Sequence, residues 1–231
     1  AQSTNRQSWM WKRHAGFDVV TYTGNGKAGR VVTHSLGKTP EMIWVKVRSD
    51  AGDWQVYHKG ANGGTNPEQY FLRLNTDEIQ SDSTSQWNDT APSSSHFTLG
   101  TGNGVNANDE KYIAMLFSSV NKVSKLGHYT GTGSSGNAVT TGFQPRFILM
   151  KSVTSQKSWA MFDTVRGLGS GNDKRIFLNT NAAEADNATY FNDTLPTSTH
   201  FTIGTNVTVN SNGNDYVAYL FAGGESTAAT A

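Results

Sequence analysis

The stretch YTGNG, at Tyr22 to Gly26, recurs as YTGTG at Tyr129 to Gly133, 107 positions further along the chain. Longer matches follow in the same order at offsets of 104 or 105 positions. They pair PEMIWVK from Pro40 with PRFILMK from Pro145, HFTLG from His96 with HFTIG from His200, and YIAMLF from Tyr112 with YVAYLF from Tyr216. Because chance matches would not keep this order and spacing, the sequence predicts two copies of one domain.

The copies are predicted to span residues 15–120 and 121–223. A period of more than 100 residues is too long for a solenoid unit and suits an independent domain with its own core. Residues 1–14 are predicted to form an N-terminal arm, and residues 224–231 a flexible tail or linker. The chain starts with AQSTNRQ rather than Met, which indicates a processed product or a piece of a longer chain.

The composition favours an all-β fold. Gly, Asn, Ser and Thr together make up 93 of the 231 residues, and these residue types are poor in helix interiors and common in turns or, for Thr, in strands. In each copy, short runs of β-branched and aromatic residues alternate with clusters of Gly, Asn and Ser. We therefore predict two tandem antiparallel β-sandwiches, jelly-roll or lectin-like, with one or two helical turns at most.

Charge and cysteine content exclude several classes of partner. The net charge is +1 with no run of Lys or Arg, so neither nucleic acid nor an acidic membrane surface is an expected partner. The longest apolar stretches have about six residues, against roughly twenty for a membrane-spanning helix. The chain contains no Cys, so it has no disulfides, no thiolate nucleophile and no Cys-rich zinc site.

The residues that could carry catalysis repeat in both copies, which favours a structural role. His96 and His200 stand at matching positions, as do Asp89 and Asp193 in the two NDT tripeptides. We expect half-buried histidines bonded to backbone, and aspartates that form turns or caps. No facing carboxylate pair is evident, and no catalytic residue is predicted.

No cofactor or metal site is predicted. The oxygen-rich stretches 103–110 and 210–215 contain side chains that calcium favours. Neither stretch has the spacing of a known calcium loop, and Asn-Gly turns account for both.

A strip of aromatic and basic residues is the candidate binding surface. Alternation along residues 41–48 places Ile43, Val45 and Val47 on one face and Trp44, Lys46 and Arg48 on the other. The predicted ligand-binding set comprises side chains without a counterpart at the matching position, together with Lys46: Trp44, Lys46, Arg48, Tyr57, His58 and Trp87. The competing interpretation, which residue statistics favour, is that the other copy or another subunit covers Trp44.

The arm carries two tryptophans, Trp9 and Trp11, on one face of an extended segment. Exposed indoles on an arm would be costly, so the arm is expected to dock on its own domain or on a neighbouring chain. We predict that these two residues contribute to an oligomer contact. Self-association is expected, and a trimer is favoured over other closed assemblies by analogy with fibres.

The chain resembles a domain family found in tail-fibre and other appendage proteins of marine bacteriophages. The resemblance covers residues 9–223, from WMWKR through FDVVTYTGNG and WNDTAPSSSHFTLG to VSKLGHYTGTG and FDTVRG. It implies a β-sandwich virion surface protein, assembled in the bacterial cytoplasm and extracellular thereafter. Its implied partners are further copies of itself, other virion proteins, and a host surface glycan or protein. It supplies no catalytic residues.

These observations favour a non-enzymatic phage appendage module with a structural or host-attachment role. A free carbohydrate-binding lectin is the first alternative, since its sequence would look almost the same. A polysaccharide depolymerase is the second, and it is disfavoured because no carboxylate pair is evident.

Overall fold

The computed structural model of the chain describes residues 10–13, 15–169 and 171–223. Trp9 and the predicted tail, residues 224–231, lie outside this part of the chain. Within the described residues, strands and loops dominate, and each α-helix has a single turn. The predicted all-β class is confirmed, as is the antiparallel pairing of the strands.

The first copy builds a large and a small antiparallel sheet. Its strands are β1 Phe17–Thr23, β2 Arg30–Thr33, β3 Met42–Val47, β4 Gln55–His58, β5 Tyr70–Arg73, β6 Ser81–Asp82, β7 His96–Leu99 and β8 Lys111–Phe117. The large sheet has the order β1-β8-β3-β4-β5-β6, and β2 pairs with β7. The short helices are two 3₁₀ turns, Ala61–Gly64 and Pro67–Gln69, with α1 Thr84–Trp87 and α2 Asn103–Asn106.

The second copy repeats this arrangement. Its elements are β9 Ser124–Thr130, β10 Asn137–Thr140, β11 Phe147–Ser152, β12 Ala160–Asp163, β13 Arg175–Phe177, β14 His200–Ile203, α3 Val207–Asn210 and β15 Asp215–Phe221. The large sheet has the order β13-β12-β11-β15-β9, and β10 pairs with β14. The strand orders correspond one to one apart from β6, so the tandem repeat in the sequence is a tandem repeat in the fold. The predicted boundary at 120/121 falls in the linker between β8 and β9.

Each copy has a core between its two sheets. Side chains alternate along β3, so that Ile43, Val45 and Val47 point towards the small sheet. There they pack with Phe97 and Leu99 of β7. The second copy has an equivalent core that includes Ile148, Met150, Phe201 and Ile203. Each copy thus has a core to which both of its sheets contribute, while the β-sandwich and jelly-roll descriptions stay predictions.

A further core joins the copies, because the two large sheets pack face to face. The opposite face of β3 contributes Met42 and Trp44 to this inter-copy core. The second copy contributes apolar side chains from three strands and the loop before β12: Phe147, Leu149, Trp159, Met161, Val217 and Tyr219. The described residues therefore contain three buried apolar cores, one in each copy and one between the copies.

The asparagine of the repeated VN pair explains one sequence match. Asn106 is fully buried, and its Nδ2 donates to the carbonyls of Gly100 (2.8 Å) and Lys27 (3.0 Å). Its Oδ1 accepts from the Asn25 backbone N–H at 3.0 Å. Asn210 makes the same three kinds of bond in the second copy. Because a buried backbone group without a partner is costly, this residue is required where the loop between β1 and β2 meets the loop after β7.

The repeated YTG tripeptide is likewise structural. Tyr22 stacks on Tyr112 with ring centroids 5.1 Å apart and donates to the Val105 carbonyl at 2.7 Å. A Cβ on Gly24 would lie 2.0 Å from the Ala107 carbonyl oxygen, so no larger residue fits. In the second copy the corresponding pairs are Tyr129 with Tyr216, at 5.0 Å, and Gly131 with Ser211.

Candidate functional site

The predicted binding residue Trp44 does not face solvent. Its side chain is only 6% exposed and lies in the inter-copy core, with its ring centroid 4.8 Å from that of Phe117. The prediction of ligand stacking on Trp44 is therefore wrong. The physical reason is that β3 belongs to the middle of a sheet whose two faces are both covered, one by the small sheet and one by the second copy.

Three more members of the predicted set are buried as well. Tyr57 and Trp87 pack edge to face at 6.0 Å inside the core of the first copy. His58 is 1% exposed at the end of β4, where its Nδ1 accepts from the Gly60 backbone N–H at 3.0 Å. Burial lowers the pKa of His58 to about 3, so the ring is neutral at ordinary pH. None of the three contributes to an exposed binding surface.

Lys46 and Arg48 are the remaining members of the predicted set. Its aromatic members are all buried, so no exposed aromatic side chain of the set lies beside these two basic residues. Lys46 is half-buried, and its Nζ donates to the Val47 carbonyl at 2.9 Å. Arg48 is exposed beyond the end of β3. The six predicted binding residues thus do not form one surface.

The arm residue Trp11 contacts its own chain. It stacks on Phe17 at 5.4 Å, lies edge-on to Trp44 at 6.4 Å, and donates from Nε1 to the Tyr219 hydroxyl at 3.1 Å. Trp11 therefore closes one end of the inter-copy core. This docking on the arm's own chain matches one of the two expected docking places, and the oligomer contact of Trp11 stays a prediction, while Trp9 lies outside the described residues.

An ion pair fixes the arm next to this indole. Arg13 Nε lies 2.6 Å from Oδ1 of the buried Asp18. Burial alone would raise the pKa of Asp18, but hydrogen bonds from Arg13, Ser35 and Val19 together hold it below its ordinary value. The carboxylate stays charged and ties the arm to the start of β1.

The repeated histidines and aspartates have structural partners. His96 Nδ1 lies 2.9 Å from Ser93 Oγ, and His200 Nδ1 lies 3.1 Å from Thr197 Oγ1. Both rings are half-buried, as predicted, although their partners are hydroxyls rather than backbone. Asp89 and Asp193 have left-handed backbone with φ of 46° and 51°, which confirms their predicted turn role.

One buried carboxyl, Asp173, was missed at the sequence level. Burial raises its pKa to about 6, although its Oδ2 accepts from the backbone N–H groups of Phe191 (2.6 Å) and Asp193 (3.3 Å). A raised pKa is typical of a general acid. Asp173 is 0% exposed, however, so a polymer substrate could not reach it in this conformation. Its hydrogen bonds assign it to holding the loop around the NDT turn.

Two other kinds of feature, a cluster of metal-ligating side chains and a membrane-spanning helix, are absent from the described residues. No group of three His, Asp or Glu side chains in this part of the chain has an arrangement suited to a metal ion. Among the same residues there is no helix of sufficient length and apolarity to span a bilayer.

An open groove of about 310 Å³ lies where the two copies meet, and it is the candidate site. We call it the inter-copy groove. Its walls come from the residue before β3, the residue after β4, the linker between the copies, the start of β9, and the loop before β11. The residues used below are Glu41, Lys59, Ser119, Lys122, Lys125, Leu126 and Phe143.

Hydrogen bonds hold the acidic side of this groove in place. Glu41 Oε1 accepts from Lys59 Nζ at 2.7 Å, and its Oε2 accepts from the backbone N–H of Ser119 at 2.8 Å and from the Ser119 hydroxyl. The Ser119 hydroxyl oxygen in turn accepts from the Leu126 backbone N–H at 3.0 Å. The single carboxylate of the groove is therefore occupied by groups of the protein itself.

The opposite side of the groove is basic. Lys125 Nζ donates to the Thr140 carbonyl at 2.7 Å. Lys122 is exposed at the tip of the linker turn, with a left-handed φ of 61°. Leu126 and Phe143 also line the groove, but their side chains are buried. The accessible lining is therefore mainly polar and basic, which favours an anionic ligand.

A comparison with protein families assigns the chain. The model of one family, described as "Domain of unknown function (DUF7483)", matches residues 10–170 and again residues 166–228. The chain belongs to the DUF7483 family. The two matches of this DUF7483 chain meet at residues 166–170, inside the second copy, rather than at the predicted boundary. No curated protein and no solved structure matches the DUF7483 chain.

The groove of this DUF7483 member could be found only partly from sequence. Lys59 has Thr164 at the matching position of the second copy, and Glu41 has Arg146, so comparison of the copies distinguishes both positions, although neither was among the predicted site residues. Lys122 lies in the linker and Lys125 near the start of β9, where the matching residue of the first copy is Asp18. Convergence of the three lysines depends on how the two large sheets pack.

Proposed function

We propose that the chain is a non-enzymatic structural module of a bacteriophage surface appendage. The observation that carries this proposal is the inter-copy core, which joins two domains into one block. Trp44 and Trp159 lie in it, and Trp159 Nε1 donates to the Arg73 carbonyl of the other copy at 2.8 Å. A fused pair of domains keeps its two ends in fixed orientation, which suits a component of a fibre or decoration.

The sheet edges support self-association as part of this function. The seven-residue strands β1 and β9 each lie at the edge of a large sheet. Long edge strands present backbone N–H and C=O groups that a neighbouring chain can pair with. We propose that such pairing, within a closed homo-oligomer such as a trimer, places the chain beside further copies and other virion proteins.

Immunogold electron microscopy tests the location. Antibodies raised against the purified chain are applied to intact particles of the virus that encodes it, with a major capsid protein antibody as the control. We expect gold on tails or surface appendages. Particles that label with the capsid antibody alone, while the chain stays in the cell lysate, would overturn the proposal.

A free lectin is the second candidate, and the inter-copy groove favours it. An open groove with a polar and basic lining is suited to a sugar ring that carries an acidic group. A lectin would bind saccharides as an isolated chain, without assembly into a particle. Strong binding on a glycan array combined with absence from virions would favour it over the appendage module.

A further inference from the structure

We propose that the inter-copy groove binds an acidic polysaccharide, whose carboxylate or sulfate groups contact Lys59, Lys122 and Lys125. This inference deepens the proposed function, because it names a ligand for the host-attachment role that the sequence resemblance implies. It rests on the proposed function only for the place at which the protein contacts the polysaccharide. Binding is a property of the isolated chain, so its test is separate from the test of location.

The charge of the groove is the first argument. Three ammonium groups line it against the single carboxylate of Glu41. That carboxylate is already bonded to Lys59 and to Ser119, so it does not neutralise Lys122 or Lys125. Cationic groups that converge on an open groove attract an anion with a repeated charge more strongly than a neutral sugar.

The shape and lining are the second argument. A groove of about 310 Å³ lies at the lower end of the range for small-ligand sites, roughly 300–1,000 Å³. Apart from the buried Leu126 and Phe143, its lining is mainly polar, which suits the hydroxyl and acidic groups of a saccharide. Its open geometry suits an internal unit of a polymer, because the chain can continue at both ends.

The asymmetry of the repeat is the third argument. At the equivalent place in the second copy, Thr164 replaces Lys59 and Arg146 replaces Glu41. The backbone bonds are the same in the two places, since Lys59 N–H donates to the Glu41 carbonyl and Thr164 N–H donates to the Arg146 carbonyl. The shared backbone does not require the lysine. The Lys59–Glu41 ion pair is therefore a feature of the first copy alone, and it adds a cationic group to this groove that the second copy lacks at the matching position.

Affinity electrophoresis of the full chain measures the binding. Native gels contain polygalacturonate, dextran sulfate, neutral dextran or single-stranded DNA. We expect polygalacturonate or dextran sulfate to slow the migration of the chain. The first polymer carries carboxylates and the second carries sulfates, so the polymer that slows migration identifies the acidic group that is bound. Retardation by neither polymer, or equal retardation by DNA, would overturn the proposal.

Paired variants locate the binding. Lys122→Asn, which tolerates the left-handed φ, is combined with Lys125→Gln. The control pair is Lys27→Gln with Lys111→Gln, two exposed lysines at the opposite end of β1 and β8. We expect about two- to twentyfold weaker binding for the groove pair and no change for the control pair.

Equal loss in both pairs, or in neither, would overturn the groove assignment, because binding would then depend on overall charge or on another surface. Thermal melting of each variant shows that it is folded. If the double variant melts early, Lys122→Asn alone replaces it, since that side chain is exposed and replacing it opens no core cavity.

Discussion

At the scale of the residue, the buried tryptophans decide between a binding and an architectural role for β3. The indole of Trp44 is a side chain of the kind that stacks on sugar rings, but it lies buried in the inter-copy core. A sequence pattern shows that both faces of a strand are apolar, but it does not show what covers them. The aliphatic face was predicted correctly because Ile43, Val45 and Val47 carry no polar group, so core packing is the role that their side chains indicate.

Trp44→Ala should destabilise the protein by about 3 to 5 kcal/mol, because it leaves a cavity between the two large sheets. Chemical denaturation followed by circular dichroism measures this change. Adsorption to host cells, expressed per folded molecule, should stay unchanged. Arg48→Ala is the matched control on the same segment, and it should alter stability by no more than about 0.5 kcal/mol. Weaker adsorption at unchanged stability would restore the binding role of Trp44.

His58 should make stability depend on acid pH. Burial, with smaller effects from Lys59 and His128, lowers its folded-state pKa to about 3, whereas the unfolded value is about 6.5. The unfolded chain therefore binds more protons between these two values. The contribution of His58 to stability is fully present above about pH 6.5. As the pH decreases towards 3, this contribution to the free energy of unfolding falls by at most about 1.4 kcal/mol per pH unit.

The carboxyl of Asp173 works in the opposite direction over part of this range. Its folded pKa of about 6 lies above the ordinary value, so the folded state binds more protons between about pH 4 and 6.

Urea titrations at several pH values should show a smaller acid dependence of stability in His58→Gln than in the natural chain. Equal dependence in both proteins would contradict the assignment to His58.

At the scale of the element, the arm and the linker show where sequence reasoning stops. The arm was expected to dock, and it does, but the choice between its own chain and a neighbour depends on an apolar gap between the copies that no local pattern reveals. The strands of the repeat were predictable from alternation. The groove was not, because its lysines come from separate segments.

Trp11→Ala should lower the free energy of unfolding by about 1 to 3 kcal/mol, because Phe17 and Tyr219 lose apolar cover. Sedimentation equilibrium should give the same assembly mass for this variant as for the natural chain, since Trp11 contacts its own chain. Dissociation of an oligomer at unchanged protomer stability would instead place Trp11 at a subunit contact.

At the scale of the whole molecule, the tandem repeat gives two domains in sequence and one folding unit in structure. Each copy has its own core, yet the inter-copy core contains large side chains from both, including Trp44, Phe117, Trp159 and Tyr219. Two copies that touched only at their edges would unfold separately. Copies that share this much buried apolar surface are expected to unfold together.

Differential scanning calorimetry of the intact chain tests this coupling most directly. We predict a single transition whose calorimetric and van't Hoff enthalpies agree, as expected for one cooperative unit. Trp159→Ala, which opens the shared core from the second copy, should move the entire transition to lower temperature. Two separate transitions in the natural chain, with only one of them shifted by Trp159→Ala, would contradict the account of a rigid, fused module.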